Sequence, residues 1–321
     1  MELVVACNAM RIRHFFQMRI MRVAVSYLQN KMIIVNLKGG IGNQMFQYAL
    51  GRKLSIQNEE ELKLDITGLE KANVVGDIYR PFALDAYAVQ KSFADASEIN
   101  KLKYPLGIVS RFLRWFTFKI LRQTHVGFEP DILNETGSFY IDGFWQSPKY
   151  FDDIRDVLLK DCTLVTPVSD AVTKYTEMLS IENSVSIHIR RGDYVTNPRV
   201  LKEFGMCSEV YYQKATSYFQ ENLVNPSFFV FSDDIQWVQE HLELPDNTMY
   251  VSDQKLTAEE ELILMSTCAH NIIANSSFSW WGAWLNQNPE KIVIAPTPWF
   301  NKNDHLYKDL IPQSWITLPR D

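Results

Sequence analysis

From Met32 onward, short apolar runs rich in β-branched residues alternate with stretches whose apolar residues recur at helical spacing. MIIVNL (32–37) precedes a glycine turn and a helical pattern from about Asn43 to Ile56. LKLD (62–65) and SFYIDGFW (138–145) predict two further strands, the second leading into a helix through Tyr150 and Leu158. Residues 167–180 read as helix, and SVSIHIR (184–190) predicts a buried strand. The alternation then becomes regular: helix 208–222, strand SFFVFS (227–232), helices 234–242 and 258–267, strand NIIA (271–274), helix 279–287 and strand KIVIA (291–295). Strands alternating with helices of this length imply parallel sheets covered on both faces, so the expected fold class is α/β. The pattern is looser before residue 140. Two α/β domains, 32–165 and 166–321, fit it better than one, with the join near 162–182, where Pro167 and a polar stretch interrupt the pattern.

Composition narrows the picture. The 321 residues are 46% apolar, ample for a packed core. A net charge of -6 and a pI near 5.6 argue against nucleic acid as the partner, which calls for a broad basic surface. Cys7, Cys162, Cys207 and Cys268 lie far apart with no C-x-x-C spacing, which fits neither a disulfide framework nor a zinc site. Residues 1–31 are arginine-rich with no uninterrupted apolar run, and are expected to be a poorly ordered extension, or the product of a misplaced start ahead of Met32. An amphipathic membrane anchor is the alternative. A second basic stretch, IVSRFLRWFTFKILRQ (108–123), reads as an amphipathic helix. Its cationic face suits either solvent or peripheral contact with an anionic membrane. No stretch reaches the length of apolar residues that a transmembrane helix needs.

Four segments hold candidate chemistry. In SIHIRRGDYV (186–195) a buried strand runs into His188, Arg190, Arg191 and Asp193. Ligands of open α/β sheets bind where strands end, and two arginines there call for an anion or for a structural ion pair. In HNIIANSSFSWWGAWL (270–285) a strand ends in Asn275, Ser276, Ser277, Phe278 and Ser279 before a Trp-rich helix. A hydroxyl-lined helix start accepts anions, although one serine suffices for capping; Trp280, Trp281 and Trp284 are core or sugar-facing. NLKGGIGNQMFQYALGRKL (36–54) is a strand, a glycine turn and a helix without the full G-x-G-x-x-G spacing, whose glycines let a ligand approach the backbone. FVFSDDIQW (229–237) places Asp233 and Asp234 at a strand end, either to accept from a guanine edge or to cap a helix.

GGIGNQMFQYA, DGFWQSPKYF (142–151), HIRRGDY and NSSFSWWGAWL, in this order and with the closing IPQSWITL (311–318), resemble the bacterial α-1,2-fucosyltransferase family. That family is related through its H-x-R-R-x-D strand to protein O-fucosyltransferases and α-1,6-fucosyltransferases. The resemblance runs from about Met32 to the end and implies the GT-B architecture, two Rossmann-like domains facing across a cleft. It implies inverting transfer of L-fucose from GDP-fucose to the 2-hydroxyl of a galactose-terminated oligosaccharide or lipid-linked glycan. No metal or other cofactor is expected, and no nucleic acid. By analogy the place of action is the cytoplasm, peripheral to the membrane. Residue by residue, Arg190 matches the group holding the β-phosphate, with Arg191 beside it. His188 and Asp233 match guanine contacts, Ser276, Ser277 and Phe278 the diphosphate loop with Asn275 before it, and Gly40, Gly42 and Asn43 the turn near the transferred sugar. Asp193 is the first candidate for a catalytic base, with Glu203 and Asp142 behind it. Trp145 and Gln146 are the hints of an acceptor surface.

Overall fold

The computed structural model describes residues 31–70, 80–103, 120–125, 127–165, 169–252, 256–301 and 307–321. Residues 1–30 of the expected extension and residues 108–119 of the expected basic helix lie outside these.

Two parallel sheets carry the molecule. The first is ordered β2-β1-β4-β3, from β1 (Met32–Asn36), β2 (Glu61–Asp65), β3 (Ile120–Arg122) and β4 (Phe139–Asp142). Helix α1 (Ile41–Asn58) connects β1 to β2; α2 (Ala96–Lys103) packs on β4 and α3 (Arg155–Asp161) leads away from it. The expected basic helix is corrected at its end. Ile120–Arg122 pair in parallel with Tyr140–Asp142, because β4 offers this short apolar segment an open sheet edge. Strand β4 also stops earlier than expected. Trp145 takes a left-handed φ of 55°, which ends the extended backbone and turns its ring into the core at 1% exposure. Trp145 is therefore not an acceptor surface.

The second sheet is ordered β10-β9-β8-β5-β6-β7, from β5 (Ser184–Ile189), β6 (Ser227–Ser232), β7 (Thr248–Tyr250), β8 (His270–Ile272), β9 (Val293–Thr297) and β10 (Ile316–Pro319). Counted from β5, this is the doubly wound order 3-2-1-4-5-6. Its sequence reverses between β5 and β8, the switch point where such sheets bind ligands. Around it lie α4 (Asp170–Leu179), α5 (Gly192–Thr196), α6 (Pro198–Phe204), α7 (Glu209–Asn222), α8 (Ile235–His241), α9 (Ala258–Thr267) and α10 (Ser277–Leu285). All six residues of β5 are buried, as expected of a central strand covered on both faces.

The two halves share one apolar core. Phe46 of α1 meets Trp280 and Trp281 of α10 at ring-centroid distances of 4.5 and 5.1 Å, and Phe151 stacks on Trp281 at 5.4 Å. The tryptophans of α10 are buried core rather than sugar-facing. Their burial pins α10 against α1, so the starts of both helices are held side by side.

Candidate functional site

The loops at the carboxyl ends of β1, β5, β6, β8 and β9 converge on a cavity of about 490 Å³ between the two halves. Gly40, Gly42 and Asn43 line it from the first half; His188, Arg190, Asp233, Asn275, Ser276, Ser277 and Phe278 line it from the second. The arginine strand and the serine-rich helix start therefore share one pocket, as an anion grip requires. A larger cavity of about 1010 Å³ opens at the amino-terminal edge of the second sheet, beside Asn183 and His270. It holds none of the arginine or serine residues singled out above, so it is not the site of the expected chemistry.

The two arginines part company. Arg190 lines the cavity, with Nη1 2.5 Å from Oδ2 of Asp233. Arg191 is not a lining residue. Its guanidinium lies 3.4 Å from the Trp237 ring centroid, and its Nε donates to Asp234 at 2.9 Å. Trp237 stacks in turn on His241. Arg191 thus braces the start of α8, whose N-cap is Asp234. Its backbone N–H donates to Oδ1 of Asp233 at 2.8 Å, so both oxygens of Asp233 are committed to the arginine loop. A planar cation stacked on an aromatic face and bound to a carboxylate is a fixed strut.

His188 is the sharpest ligand signal. It is 4% exposed, lines the cavity, and its Nδ1 is buried with no hydrogen-bond partner. Burial, with the charge of Arg190 adding to it, pushes its pKa down to about 3, so the ring is neutral near pH 7. A buried polar atom left unmatched costs about 1–3 kcal/mol, and a ligand atom is the natural partner at a cavity wall.

The start of α10 is built as expected of an anion site. Ser276 is the N-cap, accepting from the N–H of Phe278 at 3.3 Å, and Phe278 places its ring 5.3 Å from His188. Asn275 has a different use. Its Nδ2 donates to the carbonyls of Phe204, Gly205 and Trp299 at 2.9, 3.2 and 3.1 Å, which ties three loops together behind the pocket. Its side-chain N–H groups are committed to the protein, so they are not offered to the diphosphate that the resemblance places beside this loop.

The glycine turn also differs from expectation. A Cβ on Gly42 would lie 2.5 Å from the Ser277 carbonyl oxygen and 2.7 Å from the Phe278 nitrogen. The missing side chain serves the approach of two helix N-termini, one from each half. Gly40, by contrast, faces open space. Asn43 accepts from Nε2 of Gln146 at 2.7 Å. Asp193 lies in α5, and its side chain is outside the described part of the structure. Asp142 is paired with Lys38 and Asn36; burial would raise its pKa, but those partners and Arg122 hold it below the usual carboxylate range, which suits it poorly to act as a base.

Sequence reasoning missed Glu261, on α9. It lines the cavity, and burial, with the nearby charge of Asp233, pushes its pKa up to about 7 against the pull of a Ser252 hydrogen bond. Only the fold brings α9 to the pocket; in the chain Glu261 sits in an ordinary acidic first turn beside Glu259 and Glu260. Among the described residues there is no group of three or more His, Cys, Asp or Glu that could hold a metal, and no helix long and apolar enough to cross a membrane.

A doubly wound sheet with an arginine and a helix start at its switch point, facing a second parallel sheet across a shared cavity, defines an α/β protein with a cleft between two halves. Residues 117–318 match the model of glycosyl transferase family 11. An alpha-1,2-colitosyltransferase of Escherichia coli is 36% identical over 298 residues, covering 90% of this chain and 99% of that protein. The O-antigen biosynthesis glycosyltransferase WbnK, also of Escherichia coli, is 31% identical over 310 residues, covering 88% of this chain and 99% of that protein. Galactoside alpha-(1,2)-fucosyltransferase 2 of Pongo pygmaeus is 26% identical over 151 residues, 44% of either chain. This chain belongs to glycosyl transferase family 11 and is a glycosyltransferase.

Proposed function

We propose that the protein transfers L-fucose from GDP-fucose, with inversion and without a metal ion, to the 2-hydroxyl of a terminal galactoside, in the building of an O-antigen or similar surface glycan. The observation that carries the reading is one cavity lined together by Arg190, the start of α10 and His188, whose buried Nδ1 has no partner within the protein. The linkage and glycan class named for the relatives support it.

Breaking the bond from the anomeric carbon to the β-phosphate builds negative charge on the departing GDP. In this reading Arg190 and the N–H groups at the start of α10 meet that charge. Each charge-assisted hydrogen bond contributes roughly 1.5–3 kcal/mol, and interactions that grow along the reaction coordinate accelerate the chemistry. Because Asp233 is committed to the arginine loop, Glu261 is the carboxyl assigned to the paired N–H donors of guanine. Asp193 remains the assigned base on the acceptor hydroxyl. Glycan transfer of this kind fits the cytoplasmic side of the membrane.

The test is incubation with GDP-fucose and a panel of β-galactosides, with the linkage read by NMR and EDTA in a parallel reaction. An α-1,2-fucosyl product formed equally in EDTA is expected. A product at another hydroxyl, or strict dependence on added magnesium or manganese, sinks the corresponding part of the reading. A second donor, GDP-colitose, is favoured by the 36% identity to a colitosyltransferase. Colitose is L-fucose without its 3-hydroxyl, and a site built to bond that hydroxyl rejects the deoxy sugar by about 10⁴–10⁵. The ratio of kcat/KM for the two donors decides.

A further inference from the structure

The lining of the cavity between the halves changes from one side of β5 to the other. Arg190 follows β5, which lies between β8 and β6. On the β6 side stand Ser232, Asp233 and Glu261, the last hydrogen-bonded to Ser252 just beyond β7. On the β8 side the lining is largely aromatic and aliphatic. Tyr194, Val200 and Phe204 come from α5 and α6, and Trp299 and Phe300 from the segment after β9. Two polar groups of this wall are turned into the protein. The Tyr194 hydroxyl donates to the Asn275 carbonyl at 2.9 Å, and the Asn275 amide is taken by the carbonyls of Phe204, Gly205 and Trp299. The rings support one another: Tyr194 stacks on Phe204 at 5.7 Å, and Phe204 meets Phe300 at 5.0 Å. Val200 and Phe204, four residues apart on α6, are only partly buried and line the cavity together.

We propose that Val200, Phe204 and Phe300 form the pocket for the methyl group of the donor sugar and so select a 6-deoxy hexose. The inference rests on the GDP-fucose reading and deepens it. A guanine at Glu261 on the β6 side and a diphosphate at Arg190 leave the sugar on the β8 side. L-Fucose differs from L-galactose only in a methyl group where L-galactose has a hydroxymethyl group. Against this wall a methyl group leaves water and gains dispersion contacts. A 6-hydroxyl there gives up water without a replacement from Tyr194 or the Asn275 amide, which are already bonded. An apolar pocket rejects an added hydroxyl by only about 100-fold, which sets the size of the effect.

Calorimetric titration with GDP, GDP-L-fucose and GDP-L-galactose tests this without requiring turnover. Wild type is expected to bind GDP-L-fucose about 100-fold more tightly than GDP-L-galactose. Val200→Thr keeps the shape of the side chain and offers the hydroxyl a partner, and should narrow that ratio to about 10-fold. Phe204→Ala should weaken GDP-L-fucose about 10-fold. GDP, which has no sugar to place, should bind all three proteins alike. The pocket is overturned if wild type binds the two GDP-sugars equally, if neither variant changes their ratio, or if the variants weaken GDP as much as GDP-L-fucose. Tight binding of GDP by wild type in those cases leaves the donor reading standing. Wild type that binds neither GDP nor GDP-L-fucose overturns that reading, and the pocket with it.

Discussion

The two parallel sheets present opposite electrostatics at their carboxyl edges. At the edge of the second sheet, the cation Arg190, the start of α10 and a neutral His188 face a common cavity. At the edge of the first, Lys38 and Arg122 surround Asp142, which cancels much of their charge beneath the exposed ring of Phe144. A parallel sheet thus fixes where a ligand goes, and the side chains at its strand ends fix what kind. The glycine joint at Gly42 brings the edges together: without it the starts of α1 and α10 could not touch.

The strongest way to break this comparison is to change the cation at the second edge. Arg190→Lys should lower kcat by roughly 100-fold or more, because lysine loses the planar fork while keeping the charge. Arg191→Lys should lower kcat far less, since its guanidinium stacks on Trp237 and braces α8 outside the cavity. Equal losses in steady-state assays of the two variants would show that the cavity wall is drawn in the wrong place. The joint comes next. Gly42→Ala drives a methyl into the Ser277 backbone and should destabilise the fold by about 1–3 kcal/mol, read as a lowered Tm. A variant with raised donor KM and unchanged Tm would make Gly42 a ligand contact, as first expected from the sequence.

Much of this was legible in the chain. Four of the six strands from 184 onward were bounded to within two residues or so, because each is a buried apolar run punctuated by polar turns, whereas β7 and β10, short and half-exposed at the sheet's two edges, were not read as strands. The cavity residues were found where strand ends carry chemistry that a core does not need, as with His188 and Arg190. The failures are physical too. Ile120–Arg122 were read as helix because periodicity cannot see a waiting sheet edge. Arg191 looked like a twin of Arg190, yet adjacent residues point to opposite faces, and only the position of Trp237 reveals where the second one goes. Asn275 resembled a ligand contact until three distant carbonyls claimed its amide. Glu261 carried no signal at all, since its environment is supplied by Asp233 and Ser252 from other elements.

Glu261 sharpens the comparison in the smallest but cleanest way. Its folded-state pKa is raised from 4.5 to about 7, so between those values the folded protein holds a proton that the unfolded chain has released. Stability of the free protein therefore falls as pH rises through that window, by on the order of 3 kcal/mol, and Glu261→Gln should flatten the slope in thermal melts. Donor binding has the opposite dependence. The N1–H and amine of guanine both donate, so they favour the carboxylate, and GDP affinity should rise about tenfold from pH 6 to pH 8. Inosine diphosphate, which lacks the amine, should bind more weakly and with a shallower slope. Calorimetric affinities for GDP that are flat with pH, or equal for the two nucleotides, would remove Glu261 from the base pocket and leave its raised pKa a consequence of burial beside Asp233 alone.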